Sequence, residues 1–409
     1  MSLSRSDLLA WGYIFLLVLA VAIGMVSATP FPTDDHFFFQ EFIEKLAGGT
    51  LDLSISGFHG MNIVAVPWYW ITRSPIAQIE FQMFSGMLIP LFAFLAGRAL
   101  FRSTWHGIIF ATIMAMMPFL SFSSLRGWMV ATYHCLILLT LFLAAIRSRW
   151  TWLPFGFSLI SLPFAAALLP LLIVLTADNT KPLYRRYDQV ILGLSIPVVY
   201  LLMQFLQAGK IHVGVHEEFD AVGVWQGPAG MIRNAAHALQ MLFSVHNFYF
   251  PNPAKTAQGN LMHTTPILIF LGLFSLLSPK DYFNPTSSAS GGLRGARGLS
   301  LALLLGFLIG IGLNVAIDHM DHFYMETGIL FLILASLPVL RKHPLWIPIV
   351  LATLHFQWFY FYLQFKDVFL LGKSFFLVPL FVDAAFILWL SLHLKEAVNI
   401  CKNIVLPRA

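Results

Sequence analysis

Two carboxylates stand side by side at Asp34 and Asp35, just after a long apolar run and at the head of a helix-forming stretch, HFFFQEFIEKLA. At a helix start the free amide groups and the positive end of the helix dipole keep such carboxylates ionised. An ionised pair there can act as general base on a hydroxyl, or hold a cation. The same residues also suit plain capping, because Asp is a favoured N-cap, with Thr33 as the alternative, and Gly48 and Gly49 supply the stop signal.

A second concentration of chemistry lies at Asp318, His319, Asp321 and His322, the DHMDH group, with Glu326 just beyond. Mixed carboxylate and imidazole donors can bind a divalent metal ion or position a phosphate. No fixed zinc spacing is present, and a hydrated loop carrying titratable residues is the alternative. His36 and His59 flank the acidic pair in sequence and can complete its site. Arg73, Arg126, Lys210, Arg233, Lys366 and Lys373 are cations that can meet a phosphate or snorkel to lipid headgroups. Arg126 stands out because SFSSLRGW reads as a helix end. Asp383 lies inside an apolar stretch, LFVDAAFILW, where an acid is either paired or functional.

These residues are positioned by lipid-soluble elements. The 409 residues are 58% apolar and 11% charged, with mean hydropathy +0.78; soluble domains are roughly half apolar and a quarter charged. Apolar blocks long enough to cross the bilayer fall at 8–28, 78–97, 105–121, 128–146, 189–207, 264–279, 299–317, 326–340, 344–363 and 374–394. The stretch 150–177 is apolar yet flanked by Arg147 and Arg149 on one side and Lys181, Arg185 and Arg186 on the other. A single crossing would strand one basic cluster outside, so two short helices hinged near Pro163 are predicted. The expected fold is an all-α, polytopic transmembrane bundle of about twelve spans (range about 10–13).

With the N-terminus inside, this layout places 16 of the 24 Lys and Arg in cytoplasmic segments. Both termini are then cytoplasmic, and two long loops, 29–77 and 208–263, face the exterior. The first is expected to carry juxtamembrane helices, and the second an interfacial stretch near Met231 to Leu242. The chain reads as one membrane domain, 1–409, with no separate soluble domain. The net charge of +5 records orientation and not nucleic-acid binding, and the two cysteines, Cys135 and Cys401, are too differently placed to form a staple or metal site.

Four stretches together resemble the GT-C superfamily of multi-spanning glycosyltransferases that use polyprenyl-phosphate sugars. TDDHFFFQEFIEKLAGG is similar to that superfamily's acidic first-loop helix, and HGMNIVAVPWYW to the His and Pro with aromatics that precede the second long span. WLPFGFSLISLPFAAALLPLLIVL resembles its short-helix hairpin, and DHFYMETGILFLILASLPVL its late motif in which Tyr opens a helix. Where the superfamily usually has Arg before that Tyr, this chain has Asp321 and His322 ahead of Phe323 and Tyr324.

The resemblance implies an enzyme of the bacterial inner membrane with a periplasmic active site. It would move a sugar from a polyprenyl-phosphate donor, with inversion, to an exterior acceptor that is a protein such as pilin, a lipid or a glycan. Asp34 and Asp35 would be the base and its electrostatic partner. His59, Arg126, Arg233, Lys366, Lys373 and Tyr324 would contact the donor phosphate or substrate, and Asp318, His319, Asp321 and His322 would hold phosphate or a divalent metal ion. A secondary transporter or lipid flippase of the cell envelope is the rival reading, although transporters usually show half-chain repeats and midplane ionisable groups. A non-catalytic scaffold is the third.

Overall fold

The computed structural model describes residues 5–28, 30, 34–53, 59–125, 130–176, 187–209, 227–243, 266–283, 296–316, 326–365 and 373–392. Among these residues there are helices and turns but no strand. The chain runs α1 (Arg5–Val26), α2 (Asp34–Ala47), α3 (Gly60–Thr72), α4 (Ala77–Phe101), α5 (Thr104–Ala115), α6 (Pro118–Leu125), α7 (Val130–Ala145), α8 (Trp152–Ser161) and α9 (Leu169–Thr176). It continues through α10 (Tyr187–Ala208), α11 (Gly227–Phe243), α12 (Pro266–Leu277), α13 (Ala296–Ala316), α14 (Glu326–Lys342), α15 (Trp346–Phe365) and α16 (Val378–Leu392).

Every expected crossing has a helix at its place. Four segments, Ser6–Val26, Ala77–Phe101, Val190–Ala208 and Phe375–Leu392, are long and apolar enough to cross a bilayer unaided. Others are shorter than the hydropathy blocks. The expected span 105–121 is two helices, because the fixed φ and missing N–H of Pro118 end α5 at Ala115 and begin α6.

The stretch 150–177 also divides. The α8 helix has 10 residues, about 15 Å of rise, and stops at Leu162 before a 3-10 turn at Pro163–Leu168 that leads into α9. A Cβ on Gly193 would lie 2.5 Å from Trp152 Cβ, while Gly156 faces Gly193 and Ile196, and Ile160 shares a buried cluster with Tyr200. Rising residue numbers on α8 therefore meet rising numbers on α10, so the two helices run parallel. Leu162 therefore lies at the far end of α8, and Tyr187 at the end where α8 began, as the predicted hinged pair requires.

The two ends of the bundle differ. At one end Arg98 Nη2 meets Asp7 Oδ1 at 2.7 Å, Arg341 acts electrostatically on His106, and Lys342 Nζ lies 4.8 Å from the Tyr282 ring centre. Arg147 lies there too, because α7 runs parallel to α4 from the Gln82–Thr132 contact at its start, with Cys135 then meeting Ser85. The other end carries α2 and α3. Between them one apolar core runs through most of the helices, with backbones in close approach where side chains are smallest: a Cβ on Gly107 of α5 would fall 2.7 Å from the Phe94 carbonyl of α4.

Asp383 does not stand alone. Its Oδ2 is 2.7 Å from His355 Nε2, near the middle of α15 and α16. His355 Nδ1 is 2.8 Å from the Leu351 carbonyl, which can only accept, so a second proton lies between the imidazole and the carboxylate. Removing either partner leaves the other without its counterpart in hydrocarbon. Asp383→Ala and His355→Ala should each destabilise the detergent-purified protein by roughly 1–3 kcal/mol, less than a fully buried pair because the side chains are 29% and 35% exposed. The double variant should melt no lower than the worse single variant; additive losses would show that the two groups act independently.

Candidate active site

The acidic couplet forms the first two residues of α2, as the capping signals predict, and Gly49 takes φ +90° just after the helix, where Thr50 N–H bonds back to Lys45 O at 2.9 Å. The described side chains of α2 divide into two rows. His36, Phe39, Gln40, Phe42 and Ile43 are buried, whereas Phe37 and Phe38 are exposed. The helix therefore lies on the bundle through one face and leaves the other open.

Polar side chains fix that contact. His36 Nδ1 is 3.0 Å from Gln78 Oε1, and the Gln78 backbone N–H donates to Gln40 Oε1 at 3.1 Å. Gln40 Nε2 donates in turn to Glu44 Oε1 at 2.8 Å and to Ser74 O at 3.2 Å. Gln78 is the second residue of α4, so Gln40 satisfies an amide that the helix itself leaves open. One level deeper, Gln82 Oε1 accepts from Thr132 N–H at 3.1 Å and does the same for the first turn of α7. Gln207 of α10 holds residues 51–53, accepting from Leu53 N–H at 2.6 Å and donating to Leu51 O at 3.0 Å.

His59 belongs to this support. It is fully buried, its ring stacks on Phe42 at 4.0 Å and 5°, and its N–H donates to Tyr200 Oη at 3.2 Å. The Asn62 side-chain amide lies 3.2 Å from its Nδ1. His59, expected at the donor phosphate, is thus enclosed by Phe42, Tyr200 and Asn62 in this structure. Burial holds the His36 imidazole below its usual pKa, and the Gln78 hydrogen bond opposes this only in part.

Several other expected site residues fall on chain segments that lead to the same end. Tyr133 Oη and Thr327 Oγ1 are 2.7 Å apart, tying the start of α7 to the start of α14. Asn234 Nδ2 donates to Val315 O at 3.1 Å, tying α11 to the end of α13. Arg233 is exposed on α11, beside that tie. Arg126, Asp318, His319, Asp321, His322, Tyr324 and Lys366 lie outside the described residues; Lys373 opens the turn Lys373–Leu377. Among the described residues no three His, Cys, Asp or Glu side chains converge as a metal set. The glutamines were not singled out from sequence, although Gln78 and Gln82, four apart in the first turns of a long apolar helix, are a visible signal.

No family profile and no curated protein matches the sequence. The structure of ArnT from Cupriavidus metallidurans in the apo state superposes with a TM-score of 0.52 at 16% identity, covering 88% of this chain and 65% of that one. ArnT bound to undecaprenyl phosphate gives 0.50 at 14% identity, covering 95% and 72%. An apo oligosaccharyltransferase from Archaeoglobus fulgidus gives 0.47 at 11% identity, covering 91% and 56%. The chain shares the fold of ArnT. Within this fold the acidic couplet opens α2, and the turn Pro163–Leu168 joins α8 to α9.

A neutral His36 in the folded protein sets a sign. Its pKa is lowered on folding, so the unfolded chain binds more protons as pH falls through the ordinary histidine range, and stability falls with it. Melting temperature should therefore drop between about pH 7 and pH 5 more steeply in the wild type than in His36→Asn. Equal slopes would show that His36 does not titrate with unfolding.

Proposed function

We propose that the chain is a membrane glycosyltransferase that moves a sugar from a polyprenyl-phosphate donor to an acceptor hydroxyl or amine at the exterior face. The observation that carries this reading is the acidic couplet at the head of α2, clamped to one end of a GT-C fold that it shares with ArnT, a protein also crystallised with undecaprenyl phosphate. The positive-inside rule puts the end with Asp7, Arg98, Arg341 and Lys342 in the cytoplasm, and so puts α2 at the periplasmic surface of a bacterial inner membrane.

The reaction has simple needs at that surface. One carboxylate of Asp34 and Asp35 takes the acceptor proton as the acceptor atom bonds to the anomeric carbon, and the other supports the developing positive charge. The bond from the anomeric carbon to the phosphate oxygen breaks, and polyprenyl phosphate leaves with the bonding pair. Attack opposite the leaving group inverts the anomeric centre. Arg126, Arg233, Lys366 and Lys373 are the cations assigned to the departing phosphate, with Tyr324 at the substrate. Asp318, His319, Asp321 and His322 are a donor set suited to a divalent ion, which when bound would neutralise phosphate charge.

Purified protein with a labelled polyprenyl-phosphate sugar and an envelope extract as acceptor should form a labelled covalent product. Asp34→Asn or Asp35→Asn should lower the rate by about 10²–10⁴-fold without loss of fold. Full activity in both folded variants would remove the couplet from the mechanism. Transport of the donor in proteoliposomes without covalent product would favour the transporter instead.

A further inference from the structure

The clamp beneath α2 is polar where apolar packing would have served. Further along the same helix, Phe42 and Ile43 are buried among side chains such as Leu53, Ala65, Val66 and Tyr200, and hold α2 to the bundle by apolar contact. His36 and Gln40, by contrast, sit one turn apart on one line and are 2% and 6% exposed. They face Gln78, which is 1% exposed, through directional bonds. Replacing such a set by apolar residues of similar shape is often neutral for stability, so directional bonds here gain geometry more than energy.

The placed atoms give the proton positions in this chain of contacts. Gln40 Nε2 donates to Glu44 and Ser74, which leaves Gln40 Oε1 to accept from the Gln78 N–H. Gln78 Oε1 is the atom 3.0 Å from His36 Nδ1, and since an amide oxygen only accepts, His36 carries its proton on Nδ1. The bond joins the residue directly after Asp35 to the first turn of α4, the long helix that reaches the opposite end of the bundle.

We propose that His36 is a positioning residue. Its Nδ1–H bond to Gln78, backed by Gln40, fixes the first turn of α2 and with it the placement of Asp34 and Asp35. This rests on the glycosyltransferase reading above and assigns His36 no contact with substrate.

The test is steady-state transfer by the full-length protein with the labelled polyprenyl-phosphate donor. His36→Phe keeps a buried ring but lacks the donor; Asn in His36→Asn carries an amide N–H at the Nδ1 position. His36→Phe should lower kcat on the order of tenfold to a hundredfold with the donor KM within about twofold, because misplacement of a catalytic group lowers turnover before it lowers binding. His36→Asn should recover most of that loss. Gln78→Met, which keeps length and removes the acceptor, should reproduce the His36→Phe profile and serves if His36→Phe does not fold. The inference is overturned if folded Gln78→Met keeps wild-type kcat, or if His36→Asn is as slow as His36→Phe. An inactive wild type would instead remove the glycosyltransferase reading itself, and this role with it.

Discussion

Backbone amides at the start of a helix need partners, and hydrocarbon supplies none. In this protein glutamines on neighbouring elements supply them. Gln40 serves the first turn of α4, Gln82 serves the first turn of α7, and Gln207 holds the chain between α2 and α3. Losing any one of these would leave a buried amide unpaired at a cost of about 1–3 kcal/mol. Each bond also has a direction, so the same groups that satisfy the helix starts also fix the position of α2. The acidic couplet is therefore held by the requirements of folding in lipid.

Cations gather at the end of the fold opposite the acidic couplet, although each end carries both signs. Arg98, Arg341 and Lys342 gather at one end, and Asp34 and Asp35 open a helix at the other. Across roughly 30 Å of hydrocarbon the two groups hardly influence each other, and by the positive-inside rule it is the cations that would set orientation. An acidic pair at a membrane surface, on a helix whose outer row carries the exposed Phe37 and Phe38, suits chemistry on a substrate that arrives through the lipid. The pair of His355 and Asp383 belongs to a separate part of the molecule, where it ties α15 to α16.

Hydropathy made the fold legible because each crossing is an apolar block bounded by charge. The hinge near Pro163 could be read from the basic residues on both sides of 150–177, and the parallel packing of α8 on α10 follows from it. Helix lengths were less legible, since hydropathy runs through Pro118 without a break. The head of α2 was visible in the Asp pair, and its end in Gly48 and Gly49. What single-sequence reading missed was partnership at a distance. His59 is near Asp34 and Asp35 in sequence, but its contacts include Tyr200, which is far from it in sequence. The glutamine clamps likewise join residues dozens of positions apart, and no local pattern encodes such pairs.

Sidedness of α2 is the most direct measurement. In a background without native cysteines, Thr50→Cys lies exposed just past α2 and His343→Cys lies exposed at the basic end. A membrane-impermeant maleimide added to intact cells should label the cysteine at position 50 and reach position 343 only after permeabilisation. Labelling of position 343 from outside, with position 50 protected, would place the acidic couplet in the cytoplasm and contradict the proposed chemistry.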